Sequence, residues 1–221
     1  MNLVDFIREY DTSLLAGLLT HLRLVTLSVA VAVAIGLPLS LAITNSRRGA
    51  RIVLALLNGI QTIPSIALFA LMIPALVMID RSVGETPATI ALVLYSLLPI
   101  ARSSHDALRA VPFDTIDAAR GLGMTESAIV RLVLVPLALP GIMSGIRLAT
   151  TTGIGVASVA AYIGAGGLGE FIQRGITTGW PTMIIGGVIA IVIVTVAAEL
   201  LLLTAERLAT PRGVRLMRRR S

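Results

Sequence analysis

The side chains able to do chemistry are few and far apart. The chain of 221 residues has two histidines, no cysteine and twelve acidic residues. Without cysteine there are no disulfides and no thiolate metal sites. His21 and His105 fall on opposite sides of the topology derived below, so they do not converge on a metal, and His105 beside Asp106 reads as solvated surface. Glu199 and Arg147 are the one acid and one base well inside apolar runs. An ionisable group at membrane depth is expensive and normally has a partner. These two are expected to pair or to snorkel toward the interface rather than to act on a substrate. An intramembrane enzyme would need paired acids, or a serine with a histidine, at that depth, and no such set occurs. Gly164-Ala165-Gly166-Gly167-Leu168-Gly169 matches G-x-G-x-x-G, but that pattern holds a dinucleotide only between a strand and a helix. Here an apolar run precedes it, so the glycines are read as tight turns and close packing. No catalytic residue, no metal and no cofactor is expected in this chain.

What remains is a set of neutral polar groups in apolar surroundings. Gln61, Thr62 and Ser65 surround Pro64, where a broken helix would free backbone groups to line a cavity. Thr150, Thr151, Thr152 and Ser158 form a polar stripe, with Tyr162 close by. Gln61, Thr62, Ser65, Thr151, Ser158 and Tyr162 are therefore the candidates for a path across the membrane. Small and hydroxyl residues also serve helix packing, so packing is the competing role.

The elements that must position these groups follow from composition. Charged residues make up 14% of the chain, hydrophobic residues 56%, and the mean hydropathy is +0.92. Soluble domains carry roughly 25% charged residues, so an all-α integral membrane protein is expected. A helix crossing the hydrocarbon needs about twenty apolar residues. Five stretches are read as spans: Leu22 to Ile43, Ile52 to Ile79, the shorter Ala88 to Ala101, Leu137 to Ile163 and Thr182 to Leu203. The third is short and needs extension by its flanks or shelter inside the bundle. "MNLVDFIREYDTS" has no basic lead into an apolar run and reads as a short interfacial helix, not a cleaved signal.

Arginine supplies all 18 basic residues, and its placement follows the span ends. Arg47, Arg48 and Arg51, then Arg102, Arg109, Arg120 and Arg131, then Arg207, Arg212, Arg215, Arg218, Arg219 and Arg220 fall on one side. Arg8, Arg23, Arg81 and Arg174 fall on the other. The positive-inside rule places the richer side in the cytoplasm, with the N-terminus outside and the C-terminus inside. The net charge of +6 thus belongs to topology. Nucleic acid would require one basic face, so it is not an expected partner; the lipid bilayer is.

The cytoplasmic stretch between the third and fourth spans, about residues 105–136, reads as two short helices. Asp114 is placed to cap the first, with Asp117 three residues on. Gly121 and Gly123 stop it. Thr125 caps the second, Glu126 sits in its first turn, and Pro136 ends it. Ala118 and Ala119 keep the first helix narrow, while Ile116, Leu122, Met124 and Ile129 offer apolar contacts. A narrow helix of this kind suits a groove on a partner, and the alternative is a helix lying on the lipid surface.

Asp117-Ala118-Ala119, then Gly123, then nine residues, then Val133-Leu134-Val135-Pro136, resembles the EAA loop of ABC-importer membrane subunits. Asp117 stands where that family usually has glutamate, and Val133 and Val135 where it has other aliphatics. Further text carries the likeness: Gly59 to Ser65, Tyr95 to Arg102, Val135 to Ala149 and Tyr162 to Ile176, so that it extends over roughly Leu22 to Leu203. It is similar in particular to permeases for osmoprotectants such as glycine betaine, choline and carnitine. Methionine-importer permeases share the five-span plan and a similar glycine-rich segment.

The resemblance implies a type I ABC-importer permease fold in the cell inner membrane, forming a single permease domain over 1–221. It implies that Asp114, Asp117, Ala118, Ala119, Gly121, Gly123, Met124 and Thr125 couple to a cytoplasmic ABC ATPase, which binds the ATP. It also implies an external solute-binding protein and a second permease subunit, identical or closely related. Quaternary amines are held by aromatic faces, and one Trp, three Tyr and four Phe are little material for a full cage. Selection would then reside mainly in the binding protein. Readings from other classes are a membrane-embedded enzyme and a passive channel.

Overall fold

The computed structural model describes residues 3–77 and 83–210. Met78 and Ile79, Arg81, and the tail from Pro211 with five of the arginines counted above lie outside these residues. The described chain forms α1 (Leu3–Glu9), α2 (Asp11–Ile43), α3 (Arg47–Thr62), α4 (Ser65–Leu76), α5 (Glu85–Arg109), α6 (Phe113–Gly121), α7 (Glu126–Ile129), α8 (Val135–Ala157), α9 (Gly169–Thr178) and α10 (Pro181–Ala209). A π turn, Val130–Leu134, and a 3-10 turn, Ser158–Ile163, join onto α8. Glu126 to Ile163 is thereby one rod of 38 residues.

Four helical stretches are long and apolar enough to cross a membrane, and a fifth is counted if the bent pair α3–α4 is one broken span. That pair is the expected second span. α3 and α4 meet at 98°. The cause is Pro64, which offers no N–H and forces Ile63 into an extended conformation. Pro74, by contrast, is accommodated inside α4.

α5 answers the question posed by the short third run. It extends from Glu85 through His105 to Arg109 and sits at the centre, between α2 and α8. Its polar Ser96, Ser104 and His105 are buried, so shelter by neighbours replaces a long lipid-facing run. His105 is therefore not the solvated surface residue expected from Asp106 beside it. α8 closes on α5 through Gly141 and Gly145: a Cβ at Gly145 would stand 2.7 Å from the Ser103 Cβ and 2.9 Å from the Pro99 carbonyl oxygen. The G-x-x-x-G pair packs spans within the chain.

The bundle has two distinct ends. At one, Gly84 donates its N–H to the Ile163 carbonyl at 2.9 Å, Arg23 pairs with Glu85 at 3.3 Å, and Phe6, Tyr10, Phe171 and Trp180 form a ring cluster. At the other lie the α2–α3 turn, α6, α7 and the end of α10. Arg47, Arg48, Arg51, Arg102, Arg109, Arg120, Arg131 and Arg207 gather toward this second end.

Candidate functional site

The loop after α5 is built from two caps. α6 begins at Phe113, after Pro112, so Asp114 lies inside the first turn rather than capping it. Its charge still faces the positive helix end. α6 ends in a Schellman turn. The Met124 N–H donates to the Ala119 carbonyl at 3.2 Å and the Gly123 N–H to the Arg120 carbonyl at 2.8 Å. Gly123 adopts φ +80°, the left-handed conformation this turn demands. Thr125 then caps α7, its hydroxyl accepting from the Ala128 N–H at 3.3 Å.

The second loop helix does not end at Pro136. The Val135 N–H donates to the Val130 carbonyl, five residues back, and the π turn carries the helix through Pro136 into α8. The proline is absorbed because the ladder has already been displaced there. What sequence read as a separate helix is the start of the fourth span.

Across the turn, the Arg120 Nε donates to Glu126 Oε1 at 2.6 Å and its Nη2 to Oε2 at 3.1 Å. This fork holds α6 at a fixed angle to the rod. The same contact raises Arg120 above its ordinary range, through the hydrogen bond first and the charge second.

At about 100° per residue, Asp114, Asp117, Ala118 and Gly121 fall on the face of α6 opposite the buried Ala119. That face is acidic and small. Leu122, 84% exposed, stands at one end and Phe113, 67% exposed, at the other. Ile129, expected as a partner contact, is buried in its own chain. Phe113 was not among the sequence candidates; a lone aromatic after proline gives no sign of which way it faces.

Between α3, α5 and α8 lies an open-sided pocket of about 300 Å³ lined by Gln61, Tyr95, Ser96, Pro99, Leu148, Thr152, Gly153 and Val156, with Leu148 and Thr152 exposed at its mouth. The Gln61 Nε2 donates to the Tyr95 carbonyl at 2.8 Å, and the Tyr95 hydroxyl donates to the Ile63 carbonyl at the α3–α4 bend. The bend and the cavity wall are thus one hydrogen-bonded unit. Of the sequence candidates only Gln61 lines this cavity. Thr62 turns its hydroxyl back to Gly59, and Ser65 begins α4 beyond the bend. Thr151 donates to the Arg147 carbonyl, one helical step off the face that Thr152 presents. Ser158 donates to Gly155, and Tyr162 is exposed in the 3-10 turn. Tyr95 was missed because its alignment with Gln61 depends on how far α3 rises before its bend.

Arg147 stands between two acids of α10. Its Nη1 donates to Glu206 Oε2 at 2.9 Å, and its Nε lies 3.3 Å from Glu199 Oε1. This is the expected structural pairing, extended to a third group. Among the described residues no three His, Asp or Glu side chains come together to hold a metal.

Residues 16–213 match the family described as the inner membrane component of binding-protein-dependent transport systems. The chain belongs to this family. It is the permease subunit of an ABC importer, a multi-pass membrane protein. The permease is 37% identical to the choline transport system permease protein OpuBB of Bacillus subtilis, over 96% of each chain. It is 42% identical to the osmoprotectant import permease protein OsmW of Salmonella typhimurium, over 88% of this chain and 91% of the other. Among solved structures it is similar to the MetNI methionine ABC transporter in inward-facing conformations. That match has a TM-score of 0.81 at 29% identity, covering 90% of this chain and 96% of that one.

Proposed function

We propose that this permease imports a quaternary-amine osmoprotectant, with ATP hydrolysed by a partner. The observation carrying this reading is the family of relatives: permeases for choline, for glycine betaine/carnitine/choline and for osmoprotectants, 36–42% identical over 88–98% of the chain. The cavity agrees with it chemically. Its lining carries no charged side chain, and Tyr95 is its one aromatic residue, the type of side chain that attracts a methylated cation. One ring is weak selection, so the external binding protein supplies most of the specificity.

In this reading the richly arginine-bearing end faces the cytoplasm, the N-terminus is outside and the C-terminus inside the cell inner membrane. The acidic, small face of α6, with Phe113 and Leu122 beside it, enters a cleft of the ABC ATPase. Asp114, Asp117, Ala118, Ala119, Gly121, Gly123, Met124 and Thr125 form or shape that contact. The chain supplies no catalytic residue and no cofactor site, and it pairs with a second permease subunit, identical or related.

The test is purification in gentle detergent, followed by reconstitution with the co-purifying ATPase and binding protein. ATPase activity should rise with choline, glycine betaine or carnitine. Stimulation by methionine alone would favour the second reading, which rests on the close match to the methionine transporter.

A further inference from the structure

The imidazole of His21 is 0% exposed, and its Nε2 lies 3.1 Å from the Ile154 carbonyl oxygen. The location of that carbonyl explains the contact. In a continued α-helix its donor would be the Ser158 N–H, four residues on. Ser158 instead turns to the carbonyls of Gly155 and Val156, because the chain tightens there into the 3-10 turn Ser158–Ile163. The helical donor is withdrawn, and the side chain of a different span donates in its place. Nε2 must carry the proton to do so, which leaves Nδ1 without one.

The surroundings fix the ring. Gly167, at φ +88°, lies against the base of the side chain: a Cβ there would come within 3.2 Å of Nδ1 and 3.5 Å of the His21 Cβ. A Cβ at Gly169 would collide with the Ser158 carbonyl. The glycine-rich stretch thus packs down on both the histidine and the 3-10 turn. Gly84 ties the end of that turn to the start of α5. Gly153 and Val156, on either side of Ile154, line the cavity. Residues 158–169, here called the lip, follow directly on the part of α8 that lines the cavity, and His21 fastens α2 to α8 at Ile154, just before that lip begins.

We propose that His21 is a positioning residue for transport: its Nε2–H holds the 158–169 lip to α2, so that lip and α2 move as one wall when the path opens. This rests on the reading of the cavity as part of the transport path. Glutamine places its amide nitrogen near the position of Nε2, asparagine near that of Nδ1, and leucine has no donor. His21→Gln should therefore retain function that His21→Asn and His21→Leu lose.

The native chain has no cysteine, so Tyr162→Cys, in the exposed part of the lip, gives this chain one labelling site, read on the separated permease subunit. The complete transporter, reconstituted in vesicles, is assayed for choline uptake per ATP hydrolysed. Labelling of Tyr162→Cys by a bulky maleimide is read in the detergent complex without ATP. In the Asn and Leu variants uptake per ATP should fall about fivefold or more, and labelling should accelerate by a similar factor. In the Gln variant both should stay within about twofold of the parent. Parental uptake and labelling in Asn or Leu would overturn the proposal. So would a Gln variant as impaired as Leu, or variants whose only defect is a lower unfolding temperature. A parent complex that ignores choline but responds to another solute would instead overturn the substrate reading. Labelling and uptake of that other solute would then still decide the role of His21.

Discussion

Arg120 and Glu126 clasp each other across a turn of six residues, through two hydrogen bonds, both side chains open to solvent. An exposed ion pair adds little to stability. Its value here is geometric, because it sets the angle between α6 and the rod that runs into α8. Arg120→Ala and Glu126→Ala should each leave thermal unfolding near parental while lowering solute-stimulated ATPase activity. The exchange Arg120→Glu with Glu126→Arg should recover part of that loss. Equal stimulation in all four proteins would show that the angle does not matter.

Gly121 and Gly123 separate two causes of failure. No atom lies within 4 Å of a Cβ built at either. Gly123 adopts φ +80°, so Gly123→Ala should cost about 1–2 kcal/mol in stability from backbone strain alone. Gly121 is helical, so Gly121→Leu should cost nothing in the isolated permease yet uncouple the ATPase by filling a tight groove. Ala118→Arg should do the same. Normal transport by Gly121→Leu or Ala118→Arg would remove the groove-docking idea.

Phe113 and Leu122 are large, apolar and exposed in the free chain. Each replaced by alanine should leave the unfolding temperature of the permease unchanged. If they anchor the ATPase, each should weaken its association by about tenfold or more. Co-purification yield across a dilution series reads this directly.

Arg147 contacts two acids that belong to one face of α10. Arg147→Met removes the cation that both Glu199 and Glu206 contact at partial burial, and should lower the unfolding temperature. Adding Glu199→Leu and Glu206→Gln should restore most of it, because replacing a whole half-buried ion set is milder than breaking it. Thermal unfolding in detergent distinguishes the two. If the triple variant stays as unstable as the single one, the loss comes from packing and not from charge.

Sequence and structure agree most where one physical rule acts alone. The helix-breaking effect of Pro64, the cap at Thr125 and the need for glycine at position 123 depend on local geometry and were legible residue by residue. The membrane class follows from charge scarcity. What was not legible depends on phase. Thr151 and Thr152 are equally polar neighbours, and only the rotation of α8 against α5 decides that Thr152 faces the cavity. Pro136 looked like a terminus because a proline's usual effect assumes an undisturbed ladder beneath it. Tyr95 and Gln61 meet because α3 bends at a particular height, which no pairwise spacing in the sequence records.

The π turn at Val130–Leu134 has a mechanical consequence of its own. It places one surplus residue inside an otherwise regular rod, and each residue of a helix accounts for about 100° of rotation. The number of residues between Thr125 and Pro136 therefore sets the azimuth at which α6 is presented beneath the bundle. Removing one of them would let the rod relax into an even coil while swinging the acidic face away from the ATPase cleft proposed for it, so in that reading the irregularity is an aiming adjustment written into chain length.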